Sequence, residues 1–149
     1  MAIARGAGTE ILCGAHFEDI DATTQVLIFG VQHHIYTVLN LIVYGKTVQA
    51  AGNFIEAEVR GYDSKEGTTA QGCIIFHQAM NVNETYVWND KFSFNGTEPT
   101  DFGGPLDDTT KQDAIADQAS SVAQKLQMNT EHASDGFEVH VSFIDQNNA

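Results

Sequence analysis

Hydrophobic and polar positions alternate with a period of two along much of this chain, the spacing of a strand with one buried face. One stretch departs from it. Residues 26–44, VLIFGVQHHIYTVLNLIVY, are apolar almost throughout. The length suits a membrane span, but Gln32, His33, His34, Thr37 and Asn40 would each be costly in lipid. Its residues are mainly β-branched or aromatic, which favours extended backbone over helix. Gly30 and the polar Gln32-His33-His34 divide it into two predicted strands, roughly Gln25 to Val31 and Ile35 to Tyr44. Such runs suit strands covered on both faces, in a sandwich core or at a subunit interface. The expectation is a core β-hairpin or strand pair.

The rest of the pattern is built around that pair. Residues 1–9 are small and glycine-bearing without periodicity, and read as an N-terminal arm preceding a single β-rich domain, 10–149. Glu10 to Asp19 alternates through Ile11, Cys13, Ala15 and Phe17, and Asp19 to Thr24 has turn chemistry. Gly45-Lys46 reads as a break. Phe54 to Tyr62 is the clearest alternation, with Ile55, Ala57 and Val59 against Glu56, Glu58 and Arg60. Asp63 to Gly72 reads as a polar loop, Cys73 to Phe76 as a buried strand, and Thr85–Trp88 with Lys91–Phe94 as two short strands about Asn89-Asp90. The longest loop, 95–105, holds both prolines. One short α-helix is predicted near 107–119, with Asp107 or Asp108 able to cap its first turn. Beyond it Ile115, Ala119, Val122 and Leu126 would suit a continuing helix, while Val122, Gln124, Leu126 and Met128 alternate as a strand. The strand is favoured, because Ser134-Asp135-Gly136 reads as a hairpin turn into Phe137, Val139, Val141 and Phe143, and 145–149 as a polar tail. About eight to ten strands with regular turn signals predict a mainly β fold, an antiparallel sandwich or barrel-like domain.

Charge narrows the partners. Seven basic and twenty acidic side chains leave a formal net charge of -13. Binding nucleic acid directly requires a basic surface that displaces counterions from phosphates, and anionic membranes make the same demand. Neither partner is therefore expected. The acidity either keeps the surface solvated or suits docking onto a basic one. The N-terminus lacks the apolar core of a secretory signal, and the two cysteines, Cys13 and Cys73, read as unpaired and buried rather than bridged.

No motif announces catalysis. The histidines, His16, His33, His34, His77, His132 and His140, follow no C-x-x-C, H-E-x-x-H or H-x-H ligand spacing, and neighbouring His33 and His34 on a strand would face opposite ways. They read as core or interface residues, and no metal or other cofactor is expected. Asp101, Asp107 and Asp108 lack the D-x-D-x-D-G order of a calcium loop. Two contact surfaces are candidates. Tyr86, Trp88 and Asp90 could form a carbohydrate-binding platform, although such aromatics more often fill a core hairpin. The two-sided apolar strands and the arm could make subunit contacts, with Ile3, Arg5, Ile35, Tyr36 and Leu39 as candidates.

Three stretches carry a resemblance: MAIARGAGTE at 1–10, GVQHHIYTVL at 30–39 and VWNDKFSFNG at 87–96, with the ending 137–148 in keeping. Together they resemble small virion structural proteins of tailed bacteriophages, namely capsid decoration subunits or neck and tail accessory subunits. The resemblance implies a β-rich, cysteine-poor, non-enzymatic protein made in the host cytoplasm. It would assemble as a symmetric homo-oligomer and bind other virion proteins such as the capsid shell. A decoration (cement) subunit would bridge capsomers and stabilise the shell.

Overall fold

The two halves of the long apolar stretch lie in different sheets. In the computed structural model, which describes residues 8–62, 70–99, 105, 107–117 and 121–147, they form β2 (Gln25–Phe29) and β3 (His34–Thr47). They are not hydrogen-bonded to each other, so the expected hairpin is replaced by a crossing between layers. Gly30 makes that crossing possible. A Cβ there would overlap the carbonyl of Gly96 and lie 2.6 Å from the Gln124 oxygen, and its N–H donates to that Gln124 oxygen at 2.7 Å. A Cβ on Gly96 would in turn collide with the backbone of Val31. Two backbones meet where only glycine fits.

The remaining elements are β1 (Thr9–Ile20), β4 (Phe54–Tyr62), β5 (Ala70–Ala79), β6 (Thr85–Trp88), β7 (Phe92–Asn95), β8 (Thr97–Pro99), α1 (Thr109–Asp117), β9 (Ser121–Ala123), β10 (Lys125–Thr130) and β11 (Gly136–Asn147). The first sheet runs β1-β11-β3-β6, with β7 also on β3, and the second runs β2-β10-β4-β5; a two-stranded piece joins β8 and β9. The pairings in these sheets are antiparallel. Between the two main sheets lies one apolar cluster, in which Val38, Leu41, Val43, Val139 and Val141 of the first sheet meet Ile55, Ala57, Leu126 and Met128 of the second, all fully buried. The mainly β sandwich is thus as predicted. Its strand order is that of a double-sheet jelly roll, in which the chain passes repeatedly from one layer to the other.

That order overturns three further local expectations. Ser134-Asp135-Gly136 does not close a hairpin, because β10 pairs with β2 and β4 while β11 pairs with β1 and β3. Residues β6 and β7 do not pair with each other. Both lie along β3, with Leu41 opposite Trp88 and Val38 opposite Phe92, as one edge interrupted at 89–91. The interruption faces an irregularity in β3, where the register against β11 slips between Ser142–Asn40 and Phe143–Val38. The extra residue re-phases β3 so that Tyr36 and Val38 on one side of it, and Leu41 and Val43 on the other, all face the core. Finally, Gly45-Lys46 is no break. Gly45 is a buried strand residue held by bonds to Glu84 and from Asn83, and its missing side chain admits the Asn81 carbonyl.

Boundaries elsewhere follow the alternation. Strand β4 is as read, β1 begins at Thr9, and β11 runs to Asn147 through the residues taken as a polar tail, with Gln146 opposite Ile35 and Glu10. The helix begins at Thr109, two residues later than predicted, and is described as far as Asp117. The Asp108 carboxylate accepts from the Lys111 N–H at 2.9 Å, which makes Asp108 its N-cap. Residues 1–7, 63–69, 100–104, 106, 118–120 and 148–149 lie outside the described residues, and with them most of the arm and of the loop read at 63–72. The loop read at 95–105 is in part strand, since Asn95 closes β7 and Thr97–Pro99 form β8, paired with β9.

Candidate interaction surface

The aromatic run is turned inward. On β6 the alternation buries Trp88, 8% exposed, and half-buries Tyr86, while Thr85 and Val87 face out. Trp88 packs edge-on against Phe92 at 5.4 Å, and Tyr86 against Phe76 of the opposite sheet at 5.1 Å. Asp90 is exposed in the gap between β6 and β7, so the three do not share an accessible face. The carbohydrate platform read from Tyr86, Trp88 and Asp90 is therefore corrected. Both rings contribute to the core because strand parity places them on the sandwich side.

The subunit-contact candidates separate in the same way. Ile3 and Arg5 lie outside the described residues. Tyr36 is 4% exposed, packs against Phe94 and Phe143, and its hydroxyl accepts from the Val31 N–H at 3.2 Å; it is a core residue. Leu39 sits half-buried at the β3 irregularity. Ile35 is half-buried and lines a hollow of about 380 Å3 with Ser93, Phe94, Asn95 and Gln124. The Gln124 side chain spans from there to the Asn95 carbonyl at 3.1 Å.

Titratable side chains are tied into local structure. His34 Nδ1 is 2.7 Å from Asp145 Oδ1, joining the start of β3 to the end of β11. His77 stacks on Phe54 at 4.2 Å and meets Glu56 at 3.0 Å. His16 and His140 are register partners, with ring centroids 6.4 Å apart. Among the described residues no group of three or more His, Cys, Asp or Glu is placed to hold a metal ion. Cys13 on β1 and Cys73 on β5 lie in different sheets and are not bridged; Cys73 is exposed rather than buried.

Two carboxylates are perturbed. Burial acts to raise the pKa of Asp135, but hydrogen bonds from the Gln49 N–H, the Asn53 amide, the His132 N–H and the Thr130 hydroxyl outweigh it and hold the group below its ordinary value. The Glu84 pKa is lowered by bonds from the Asn81 N–H at 2.9 Å and the Asn81 amide at 3.0 Å. Both belong to loops, and each serves as an anchor for the backbone around it.

Sequence reasoning missed the apolar side chains that do face solvent. Leu12 is 72% exposed, Phe29 60%, Ile74 54%, and Val82 and Val87 53% each. The signal for Leu12 and Val87 was available, because each sits one position out of phase with a less exposed neighbour, half-buried Cys13 and buried Trp88. Phe29 carries the Lys125 ammonium over its ring at 5.3 Å, a cation–π contact across β2 and β10.

No family model matches the chain, and no curated protein matches it. Among solved structures it is similar to a protein of the disulfide-linked pili of Bacillus endospore appendages, at 10% identity and a TM-score of 0.44, over 100% of this chain and 97% of that one. It is similar also to the CBM22-1–GH10 modules of Clostridium thermocellum xylanase 10B, at 11% identity and a TM-score of 0.46, over 91% of this chain and 26% of that one. A third similarity is to a chain of the T13 IBDV viral particle, at 7% identity and a TM-score of 0.42, over 99% and 37% respectively. At these values none of them says what this chain does.

Proposed function

We propose that this chain is a non-enzymatic structural subunit of a tailed-bacteriophage virion, in the first instance a capsid decoration protein that stabilises the shell. A neck or tail accessory subunit is the near variant. The observation that carries the reading is the strand order β1-β11-β3-β6 over β2-β10-β4-β5. A jelly roll is a stiff two-layer slab, and it recurs in viral capsid and lectin domains. The step from fold to role is an analogy, since one architecture hosts many functions. The resemblance of residues 1–10, 30–39 and 87–96 to phage virion proteins points the same way. In this role the net charge of -13 meets basic patches on the shell, and the sandwich bears load through its paired strands.

The test is co-sedimentation of the purified protein with expanded phage heads stripped of their decoration subunits, and separately with isolated necks and tails. Saturable binding to heads, with a higher temperature of shell disruption, is expected. Binding to necks or tails alone selects the variant role. No binding to any of the three rejects the proposal.

A further inference from the structure

The outer face of the first sheet is neutral in a strongly acidic protein. Register fixes its rows. Leu12, Ile144, Thr37 and Ser93 lie across the sheet in one row, and His16, His140, Ile42 and Val87 in another. Gly14 and Ser142 lie between them. None of these positions carries a formal charge with histidine neutral. Charged side chains begin at the margins, with Glu10 at one end, Glu18 and the Lys46–Glu138 pair at the other, and Asp90 and Lys91 in the gap of the β6–β7 edge. The outer face of the second sheet is different. Its rows pair Lys125 with Arg60, Gln127 with Glu58, and Asn129 with Glu56, so formal charge recurs in each.

The neutral face is built to lose water cheaply. Leu12, Val87 and Ile42 expose apolar surface, at 72%, 53% and 38%. Two pairs of its polar side chains bond to each other, with Thr37 Oγ1 at 2.8 Å from Ser93 Oγ and Ser142 Oγ at 3.3 Å from His140 Nε2, while Asn40 Oδ1, opposite Ser142, is buried without a partner. Gly14 keeps the surface low where the His140 ring leans, since a Cβ there would stand 3.5 Å from that ring. A charge-depleted centre within a charged rim is the layout of a protein interface.

Charge also selects the occupant. A basic partner gains nothing on a neutral surface. A second copy of this chain, with twenty acidic side chains, can approach closely only where carboxylates are absent from both surfaces. We infer that two copies pair face to face through the outer surface of the first sheet, about a two-fold axis. Such an axis sets neutral against neutral and leaves Glu10, Glu18 and Glu138 at a solvated rim. Four strands at about 4.8 Å spacing and about nine residues of length give roughly 500 Å2 in projection on each copy. The pair therefore buries about 1,000 Å2 in total, the lower bound of a specific interface. This inference rests on the reading of the chain as an assembling structural subunit.

Sedimentation velocity across a concentration series tests it, with Leu12→Glu and Val87→Glu on the neutral face and Ile74→Glu on the other sheet. The wild type is expected to show a concentration-dependent dimer. Each neutral-face variant is expected to weaken it at least tenfold with an unchanged circular dichroism melt, and Ile74→Glu to leave it intact. Should one neutral-face variant fail to fold, the other reads the interface. A wild type that stays monomeric, or a dimer lost only in Ile74→Glu, overturns the inference. Head binding by a monomeric wild type would leave the virion reading standing without this interface, and pairing without binding to heads, necks or tails would do the reverse.

Discussion

Replacing Asp135 by asparagine should cost about 3 kcal/mol, because one buried carboxylate ties two sheet crossings together. Asp135 is 5% exposed in the turn between β10 and β11. It accepts from the Gln49 N–H at 2.7 Å and the Asn53 amide at 3.2 Å, both in the loop between β3 and β4, and from the His132 N–H at 3.0 Å in its own turn. Asparagine keeps the shape but retains one acceptor oxygen, so its NH2 must face a backbone N–H. One donor is then left unsatisfied in a dry site, at about 1–3 kcal/mol, and the bonds that remain lose their charge assistance. For a chain of this size each kcal/mol moves the melting temperature by about 2–4 °C, so a drop of about 6–12 °C is expected at pH 7. The pH dependence is a second reading of the same carboxylate. Its folded pKa is depressed, so its contribution is complete above the unfolded value of about 3.9 and is lost as the pH falls through the lower folded value. The gap between wild type and variant should therefore narrow in acid. Thermal melts by circular dichroism at pH 7 and through the acid range measure both effects. A variant that melts within about 2 °C of wild type at pH 7, or a gap constant with pH, would refute the assignment.

Three other substitutions probe the crossing and the core. Gly30→Ala drives a methyl into two backbone carbonyls that no rotamer change can clear, and should cost about 3 kcal/mol or more, read by urea denaturation. Trp88→Ala should lose about 3–5 kcal/mol by the same assay, and any glycan-array signal should survive in the fraction that stays folded, since the ring is in the core. Tyr36→Phe removes the hydroxyl that meets the Val31 N–H and should cost about 1 kcal/mol; its oligomeric state should match that of the wild type.

Strands were legible along this chain and their partners were not. Alternation over 54–62 marks β4 because Ile55 and Ala57 face the core while Glu56 and Glu58 do not, and that parity is a property of the local chain. Pairing is a property of the whole. A short turn such as Ser134-Asp135-Gly136 suits a hairpin and a corner between layers equally well, so nearest-neighbour reasoning chooses the hairpin. In this fold consecutive strands mostly change sheet, and β4 with β5 is the long adjacent pair that stays together. What forces the changes is visible only in three dimensions: the mutual approach at Gly30 and Gly96, and the Gly45 backbone accepting a neighbour, are contacts between segments far apart in sequence.

The aromatic platform and the contact reading of Tyr36 were misplaced for a related reason. Tyr86 and Trp88 look like a platform if the strand is imagined with its aromatic face to solvent, and like a core if imagined the other way. The sequence pattern i, i+2 cannot tell which, because the partner layer decides it. A residue-level count of apolar side chains likewise ranks Tyr36 above Leu12 as a contact, whereas burial reverses the order at 4% against 72%. The neutral band on the first sheet depends on five strands being brought into register, β1 against β11, β11 against β3, and β3 against β6 and β7. The sequence shows one uncharged run, 22–45, which supplies the part from β3, but the parts from β1 and β11 are short: Glu10 and Glu18 bracket the one, and Glu138 lies two residues before His140 in the other. An acidic chain that leaves one sheet face uncharged across strands drawn from both ends of its sequence has concentrated its repulsion elsewhere, and that distribution is what makes close approach between copies possible on this face.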